Sequence, residues 1–208
     1  MRRRGLMLVL SAPSGAGKST ICRELLKRNP SLILSISITT RAPRPGEVNS
    51  REYHFTSTST FQDLIATGNL LEHAKIFGHY YGTLSQPVTE ALVAGRDVLF
   101  DIDWQGHRQL QSYAAEDVVG VFILPPSTVE LERRLRGREQ DSDDTIIHRI
   151  RMAASEIKHC DEYRYLIVNR NIEHSVTAVQ TILEAERLRS HRQMVTHALE
   201  ELWADNLS

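Results

Sequence analysis

The apolar run LMLVL at residues 6–10 passes directly into SAPSGAGKST at residues 11–20. A short apolar run bounded by a turn reads as a buried strand. The turn that follows holds Pro13, Gly15 and Gly17, and then places Lys18 beside Ser19 where a helix opens. Few folds use that order. Gly15 and Gly17 let backbone N–H groups turn inward with no Cβ in the way. The helix N-terminus adds unpaired donors and the positive end of its dipole. Lys18 is placed to reach the β- and γ-phosphates of a nucleotide, and the Ser19 hydroxyl to ligate Mg²⁺. Ser14, Gly15, Ala16, Gly17, Lys18, Ser19 and Thr20 are therefore the expected phosphate cradle. The strict phosphate-loop pattern opens on Gly where this chain has Ala12, so a negative φ is expected there.

Apolar, strand-like runs and helical patterns alternate along the rest of the chain. LILSISI (32–38), RDVLFDID (96–103), DVVGVFIL (117–124) and RYLIVN (164–169) read as strands. Residues 104–113, 127–136, 143–159 and about 173–203 read as helices, the last with a stripe of Val176, Val179, Ile182 and Leu183. That alternation predicts an α/β fold with a mostly parallel sheet covered on both faces. Residues 35–95 depart from it. They are rich in Thr, Tyr, Gly and Pro, with extended runs at 52–55 and 70–77, and read as an inserted small mixed α/β lobe.

Within that lobe, TTRAPRPGE (39–47) carries Arg41 and Arg44 on a stretch stiffened by Pro43 and Pro45. Two guanidiniums held this way suit a phosphate dianion. Tyr53, Tyr80 and Tyr81 offer neutral donors to the same shell. Glu72 stands inside the largely apolar LLEHAKI, and a buried carboxylate needs partners. Guanine supplies them, because its N1–H and 2-amino group are adjacent donors, whereas adenine presents an acceptor on that edge. Ser37 or Thr83 could supply a hydroxyl to guanine O6, and a salt bridge is the plainer alternative for Glu72.

FDIDWQG ends a strand with Asp101 and Asp103, which strand alternation puts on one side. Acids at the C-terminal end of a parallel strand border the ligand crevice. Asp101 is placed to hold the Mg²⁺ shell through water, and Asp103 to touch an acceptor nucleoside or cap the next helix. Arg133, Arg134, Arg136, Arg138 and Arg149 cluster around the irregular RGREQDSDD. Arg134, Arg138 and Arg149 suit a lid that closes over a triphosphate. Arg133 and Arg136 suit a solvated helix end paired with Glu130, Glu132 and the acidic 141–144 run. If the acceptor is itself a phosphate, its second pKa of about 6 makes its oxygen a nucleophile at neutral pH, with no general base required.

Composition narrows the partners. With 25 Lys and Arg against 26 Asp and Glu, the formal net charge is −1, so no global field argues for nucleic acid or a membrane surface. Cys22 and Cys160 lie far apart in no metal or redox spacing, which suits reduced thiols in a cytoplasmic protein. The nine histidines form no zinc pattern. MRRRG ahead of the first apolar run looks like the start of a leader, but the run is shorter than the roughly 7–15 residues that one needs. The arginines are expected to be a solvated end, and no membrane span is expected.

SAPSGAGKST, TTRAPRPGE, EYHF, LLEHAKIFGHYYGT, DIDWQG, ILPPS, RRLRGR and YLIVN, in that order, resemble the guanylate kinase family along nearly the whole chain. The resemblance implies a P-loop nucleoside monophosphate kinase fold in a single domain over 1–208. Its core would be about 1–34, 96–135 and 160–208, its GMP-binding lobe about 35–95 and its lid about 136–159. It implies transfer of the ATP γ-phosphoryl group to GMP or dGMP with Mg²⁺, with homo-oligomerisation left open. By position, Ser37, Glu72, Thr83 and Asp103 resemble guanine contacts, and Arg41, Arg44, Tyr53 and Tyr81 resemble ligands of the GMP phosphate. Gly82 and Asp101 go with that acceptor set. Lys18, Arg44, Arg138 and Arg149 would act on the transferred group. Arg134, Arg138 and Asn169 join the ATP site. Arg170 stands where family members often have an acid, which bears on the adenine contacts near Asn169. The alternatives are an inactive binding module built on the same lobe and a kinase of another phosphorylated acceptor.

Overall fold

The computed structural model describes residues 3–76, 78–137 and 143–193. Its centre is strand β1 (Met7–Ser11), buried along its whole length. On one side β1 pairs in parallel with β7 (Asp97–Asp101), and β7 with β2 (Leu32–Leu34). On the other side it pairs in parallel with β8 (Val118–Leu124), and β8 with β9 (Tyr165–Val168). The five-stranded order is β2-β7-β1-β8-β9.

Strand alternation divides the core into two layers. Leu6, Leu8 and Leu10 face Ile21, Cys22 and Leu25 of helix α1 (Lys18–Arg28), and Val176, Val179 and Leu183 of α7 (Ile172–Arg187). Met7 and Val9 face the opposite layer, where α3 (Ser85–Val93) contributes Val88, Ala91 and Leu92, and α4 (Trp104–Ala114) contributes Leu110. A strand apolar on both sides is stable only with both faces covered, as the alternation of strands and helices predicts.

Arg3 and Arg4 are not a solvated end, and Arg2 lies outside the described residues. Arg3 makes two 2.7 Å bonds to the fully buried Asp97 of β7. Arg4 grips Asp117, just ahead of β8, at 2.7–3.1 Å. Asp97 also accepts from Leu6 N–H and Arg187. A buried carboxylate with this many charged donors is satisfied in full, and the network ties β1 to both neighbours and to the end of α7.

The run 32–38 is not one strand. β2 ends at Leu34, the chain crosses over, and Ile38 opens β3 (Ile38–Thr39) in a second sheet. The period-2 pattern of LILSISI is continuous across the break, so periodicity alone could not show it. The second sheet has the order β4-β3-β6-β5. Here β4 is His54–Phe55, β5 is Leu70–Ile76 and β6 is His79–Leu84. Helix α2 (Thr58–Ala66) seats the fully buried Phe61 under this sheet, stacked on Tyr80 at 5.3 Å. Gln109 of α4 joins the lobe to the core, accepting from His73 N–H and donating to His73 C=O.

Helices α5 (Thr128–Arg136) and α6 (Asp143–Ile157) pack on each other through Leu131, Leu135, Ile146, Ile150 and Ala153. The pattern read as a helix over about 173–203 ends at Arg187. A single 3₁₀ turn follows at Ser190–Arg192, and residues beyond 193 lie outside the described ones. Among the described residues no helix is long and apolar enough to cross a membrane.

Candidate active site

The turn after β1 takes its shape from two glycines. Gly15 and Gly17 have φ of 91° and 100°, a left-handed region that costs other residues roughly 1–2 kcal/mol. A Cβ on Gly15 would meet Leu131 at 2.9 Å, and one on Gly17 would meet the Asn169 amide at 2.5 Å. Gly17 is also the N-cap of α1, and no side chain caps the helix, so its first N–H groups are left for an external acceptor. Among the described residues Ser50 is the one non-glycine with positive φ, so Ala12 keeps the negative φ expected of it.

The loop is braced from behind. Asn169, fully buried just after β9, donates its amide to the Ala16 carbonyl at 2.7 Å and accepts from the Ser175 hydroxyl at 3.0 Å. Arg134 donates to the Ala16 and Asn169 carbonyls and pairs with Glu130. Both were expected to touch ATP. In the structure they hold the loop's outer side, and neither lines the cleft in front of it. Arg133 pairs with Glu130, and Arg136 with Glu132 and Asp143, as a solvated helix end should. Arg138 lies outside the described residues. Arg149 stands on α6, half-buried and engaged in contacts.

In front of the loop is a cleft of about 280 Å³ lined by residues 12–15 and 17–20, with Asp103 and Glu156. Lys18 forms an ion pair with Asp101, which ends β7 opposite Leu10 of β1. Asp103 does not share the strand with Asp101. β7 stops at Asp101, and Asp103 caps α4, accepting from the N–H groups of Gln105 and Gly106 at 3.0 and 3.1 Å. Capping frees it from strand alternation, yet leaves it bordering this cleft and the next one.

The second cleft, about 310 Å³, is lined by Lys18, Asp101 and Asp103 from the core and by Ser37, Tyr53, Glu72, Ala74, Ile76 and Tyr81 from the lobe. Its wall is one face of the β5–β6 ladder, in which Glu72 pairs with Thr83 and Ala74 with Tyr81. The Thr83 hydroxyl donates to Glu72 Oε1 at 2.7 Å. Glu72 Oε2 lies 3.0 Å from where a Cβ on Gly106 would stand, so the carboxylate abuts the first turn of α4. Glu72 is 5% exposed, and among the described residues no Lys or Arg pairs with it. Burial, with Asp103 adding to it against the Thr83 bond, pushes its carboxyl up to about 7. A carboxylate so poised is ready for a ligand that brings its own donors.

Gly82 does not line the cleft. Alternation turns it to the far face, where a Cβ would meet Phe61 at 3.1 Å and the Glu72 carbonyl at 2.8 Å. Arg41 lies over the Tyr53 ring at 5.3 Å and is held by both oxygens of Glu47 at 2.8 and 2.9 Å. Glu47 also accepts from Arg44 N–H, while the Arg44 side chain is exposed. A cavity of about 620 Å³ extends the second cleft outward past Ser37, Tyr53 and Asp101 along α1. Cys22 borders it, but burial pushes its thiol up to about 12, so it is no nucleophile there.

Two clefts thus meet at Lys18 and Asp103, one faced by a phosphate loop and the other by a buried carboxylate. The family model described as guanylate kinase matches residues 4–186. The chain belongs to the guanylate kinase family. A guanylate kinase from Paramagnetospirillum magneticum is 55% identical over 192 residues, 92% of this chain and 90% of its own length. One from Rhodospirillum rubrum is 53% identical over 192 residues, covering 92% and 88%. The crystal structure of guanylate kinase from Anaplasma phagocytophilum, 36% identical, superposes with a TM-score of 0.78 over 97% of this chain and 96% of that one. Glu156 of α6, at the border of the phosphate-loop cleft, was not among the residues singled out from the sequence. Its one signal was spacing, since Glu156 follows Arg149 by two helical turns and so shares its face.

Proposed function

We infer that the chain transfers the γ-phosphoryl group of ATP to GMP or dGMP, giving ADP and GDP or dGDP. The observation that carries this reading is Glu72. It is buried, lacks an ion-pair partner among the described residues, and stands at the head of a cleft that joins the phosphate-loop cleft at Lys18. Guanine N1–H and its 2-amino group would supply the two donors that one carboxylate accepts. Arg41, Arg44, Tyr53 and Tyr81 would take the acceptor's phosphate. That phosphate, ionised with a second pKa of about 6, attacks the γ-phosphorus through one of its oxygens, and the bond to the bridging oxygen of ADP breaks. The chain's task is to align two polyanions and neutralise the charge spread over the transferred group. Lys18 lies where it can do so, and Arg44, Arg138 and Arg149 are proposed to assist.

Ser19 and Asp101 border one cavity and present hard oxygen donors, the set that suits Mg²⁺. Ser19 would hold the ion directly and Asp101 through water, and the bound ion would neutralise phosphate charge. The free thiols Cys22 and Cys160 suit a reducing, cytoplasmic setting. The test is ADP release from ATP and Mg²⁺ with GMP, dGMP, AMP, UMP, CMP and dTMP as acceptors. Turnover with GMP and dGMP alone is expected. Binding of GMP without turnover would favour an inactive module, and turnover with another acceptor would overturn the role given to Glu72.

A further inference from the structure

Glu47 is a carboxylate beside two arginines proposed to take a phosphate, where its charge alone would repel the ligand. Both Glu47 oxygens accept from Arg41 Nη2, at 2.8 and 2.9 Å, and Oε2 also accepts from the Arg44 N–H at 2.7 Å. The Glu47 N–H returns a bond to the Arg44 carbonyl at 3.0 Å. That bond closes a turn with Pro45 and Gly46 at its centre, and the φ of 87° at Gly46 is that of a type II turn. The Arg41 guanidinium also donates from Nη1 to the Ala42 carbonyl at 2.8 Å and lies over the Tyr53 ring. Tyr53 stands edge to face with Tyr81, their ring centres 6.0 Å apart, and both line the second cleft. The root of Arg41 is fixed as well. Its N–H donates to the Thr39 hydroxyl at 3.1 Å, and that hydroxyl donates to the Tyr80 carbonyl at 2.9 Å. Pro43 and Pro45 fix backbone φ but not a neighbour's side-chain rotamer. The group that aims the guanidinium is Glu47.

We propose that Glu47 is a positioning residue of the acceptor site: one carboxylate sets the Arg41 guanidinium against Tyr53 and ties in the turn that carries Arg44, so that both arginines stand in place before the acceptor's phosphate arrives. Glu47 touches no reacting atom and acts through the two arginines. The inference rests on the reading of Arg41 and Arg44 as ligands of that phosphate. An arginine left free must be ordered at the moment of binding, which weakens the ligand about three- to tenfold. A carboxylate acting only as a charge would have the opposite effect, because its removal would relieve repulsion and tighten binding. The sign of the change therefore decides between the two.

The test is the Kd of GMP, measured by calorimetry without ATP, for the unaltered chain, Glu47→Ala, Arg41→Ala and the double variant. Melting curves show that each is folded, and kcat/KM for GMP replaces Kd for any variant that binds too weakly. Failure of the unaltered chain to bind GMP would overturn the acceptor reading itself. Arg41→Ala is expected to weaken GMP about tenfold or more, and unchanged binding there would overturn the phosphate role of Arg41 and the inference with it. If that role holds, Glu47→Ala is expected to weaken GMP about three- to tenfold and to leave the Kd of ADP unchanged. In the Arg41→Ala background the same change is expected to cost at most about twofold, or to tighten GMP, because the side chain it aims is gone. An equal loss in both backgrounds, or a parallel loss of ADP binding, would make Glu47 a merely structural residue and overturn the inference. Unchanged or tighter GMP binding in Glu47→Ala alone would overturn it as well.

Discussion

Glu72→Gln is the sharpest test of the acceptor site, because the structure sets both its size and its control. Glu72 Oε1 is already held by the Thr83 hydroxyl at 2.7 Å. Gln can keep that bond through its carbonyl and then presents an NH₂ group where the second oxygen stood. Guanine would meet one acceptor and one donor in place of two acceptors. A hydrogen bond to a charged group contributes roughly 1.5–3 kcal/mol, and an unsatisfied buried donor costs roughly 1–3 kcal/mol more. A net loss of about 2–4 kcal/mol is roughly a 30- to 1000-fold fall in kcat/KM for GMP. The fold should not suffer, since the change removes a carboxylate that burial already disfavours. The assay pairs ADP release, at fixed ATP and varied GMP, with thermal melting at pH 8. The expected outcome is a large fall in kcat/KM with a melting temperature equal to or above that of the unaltered chain. GMP kinetics within about threefold of normal would refute the reasoning, because two opposed donors cannot cost so little.

Four further outcomes rest on the same geometry. Lys18→Ala removes the cation shared by both clefts and should lower kcat by orders of magnitude with only a modest rise in the KM for GMP, which single-turnover kinetics would separate. Gly17→Ala combines a φ of 100° with a 2.5 Å clash on the Asn169 amide, and should cost about 2 kcal/mol or more in stability by denaturant melting, together with nucleotide affinity. Folding holds the Glu72 proton more tightly than the unfolded chain does, so stability gained from its protonated form is lost as pH rises from the usual carboxylate range through about 7. GMP binding has the opposite sign, because it needs the carboxylate. Its KM should rise as pH falls below about 7, and Glu72→Gln should remove the part of that limb lying above the phosphate's own second pKa of about 6.

The phosphate loop was legible because everything that defines it is local: two glycines, a lysine and a serine within one turn of a strand end. Glu72 was legible as a charge inside an apolar run. Its partner was harder to fix, since Thr83 meets it only through the register of a hairpin whose turn lies between them. Gly82 was grouped with the acceptor residues by position along the chain. If Tyr81 and Thr83 face the cleft, alternation alone turns Gly82 away. Asp103 shows the reverse, because the strand was read two residues too long and a capping acid was placed by alternation. Asn169 and Arg134 were assigned to the nucleotide by position along the chain. Their bracing role depends on β9 lying beside β8, which brings Asn169 against a loop 153 residues away. No local pattern encodes that approach, nor the packing of α6 that brings Glu156 to the border of the cleft.

The arrangement also explains why the two clefts share Lys18 and Asp103. β1 and β7 are neighbours in register, Leu10 beside Asp101, so the loop that leaves β1 and the turn that leaves β7 emerge side by side. The first delivers Lys18 and the second delivers Asp101, then Asp103 as the cap of α4. The cap fixes the first turn of α4, and that turn is the surface against which Glu72 rests. A lobe held to α4 through Gln109 and Glu72 therefore has its buried carboxylate indexed to the same helix start that borders the phosphate-loop cleft. In-line transfer requires attacking and leaving oxygens to be placed to within fractions of an ångström. Here that precision would come from a single rigid corner, the C-terminal ends of β1 and β7 with the N-terminus of α4, which both clefts share.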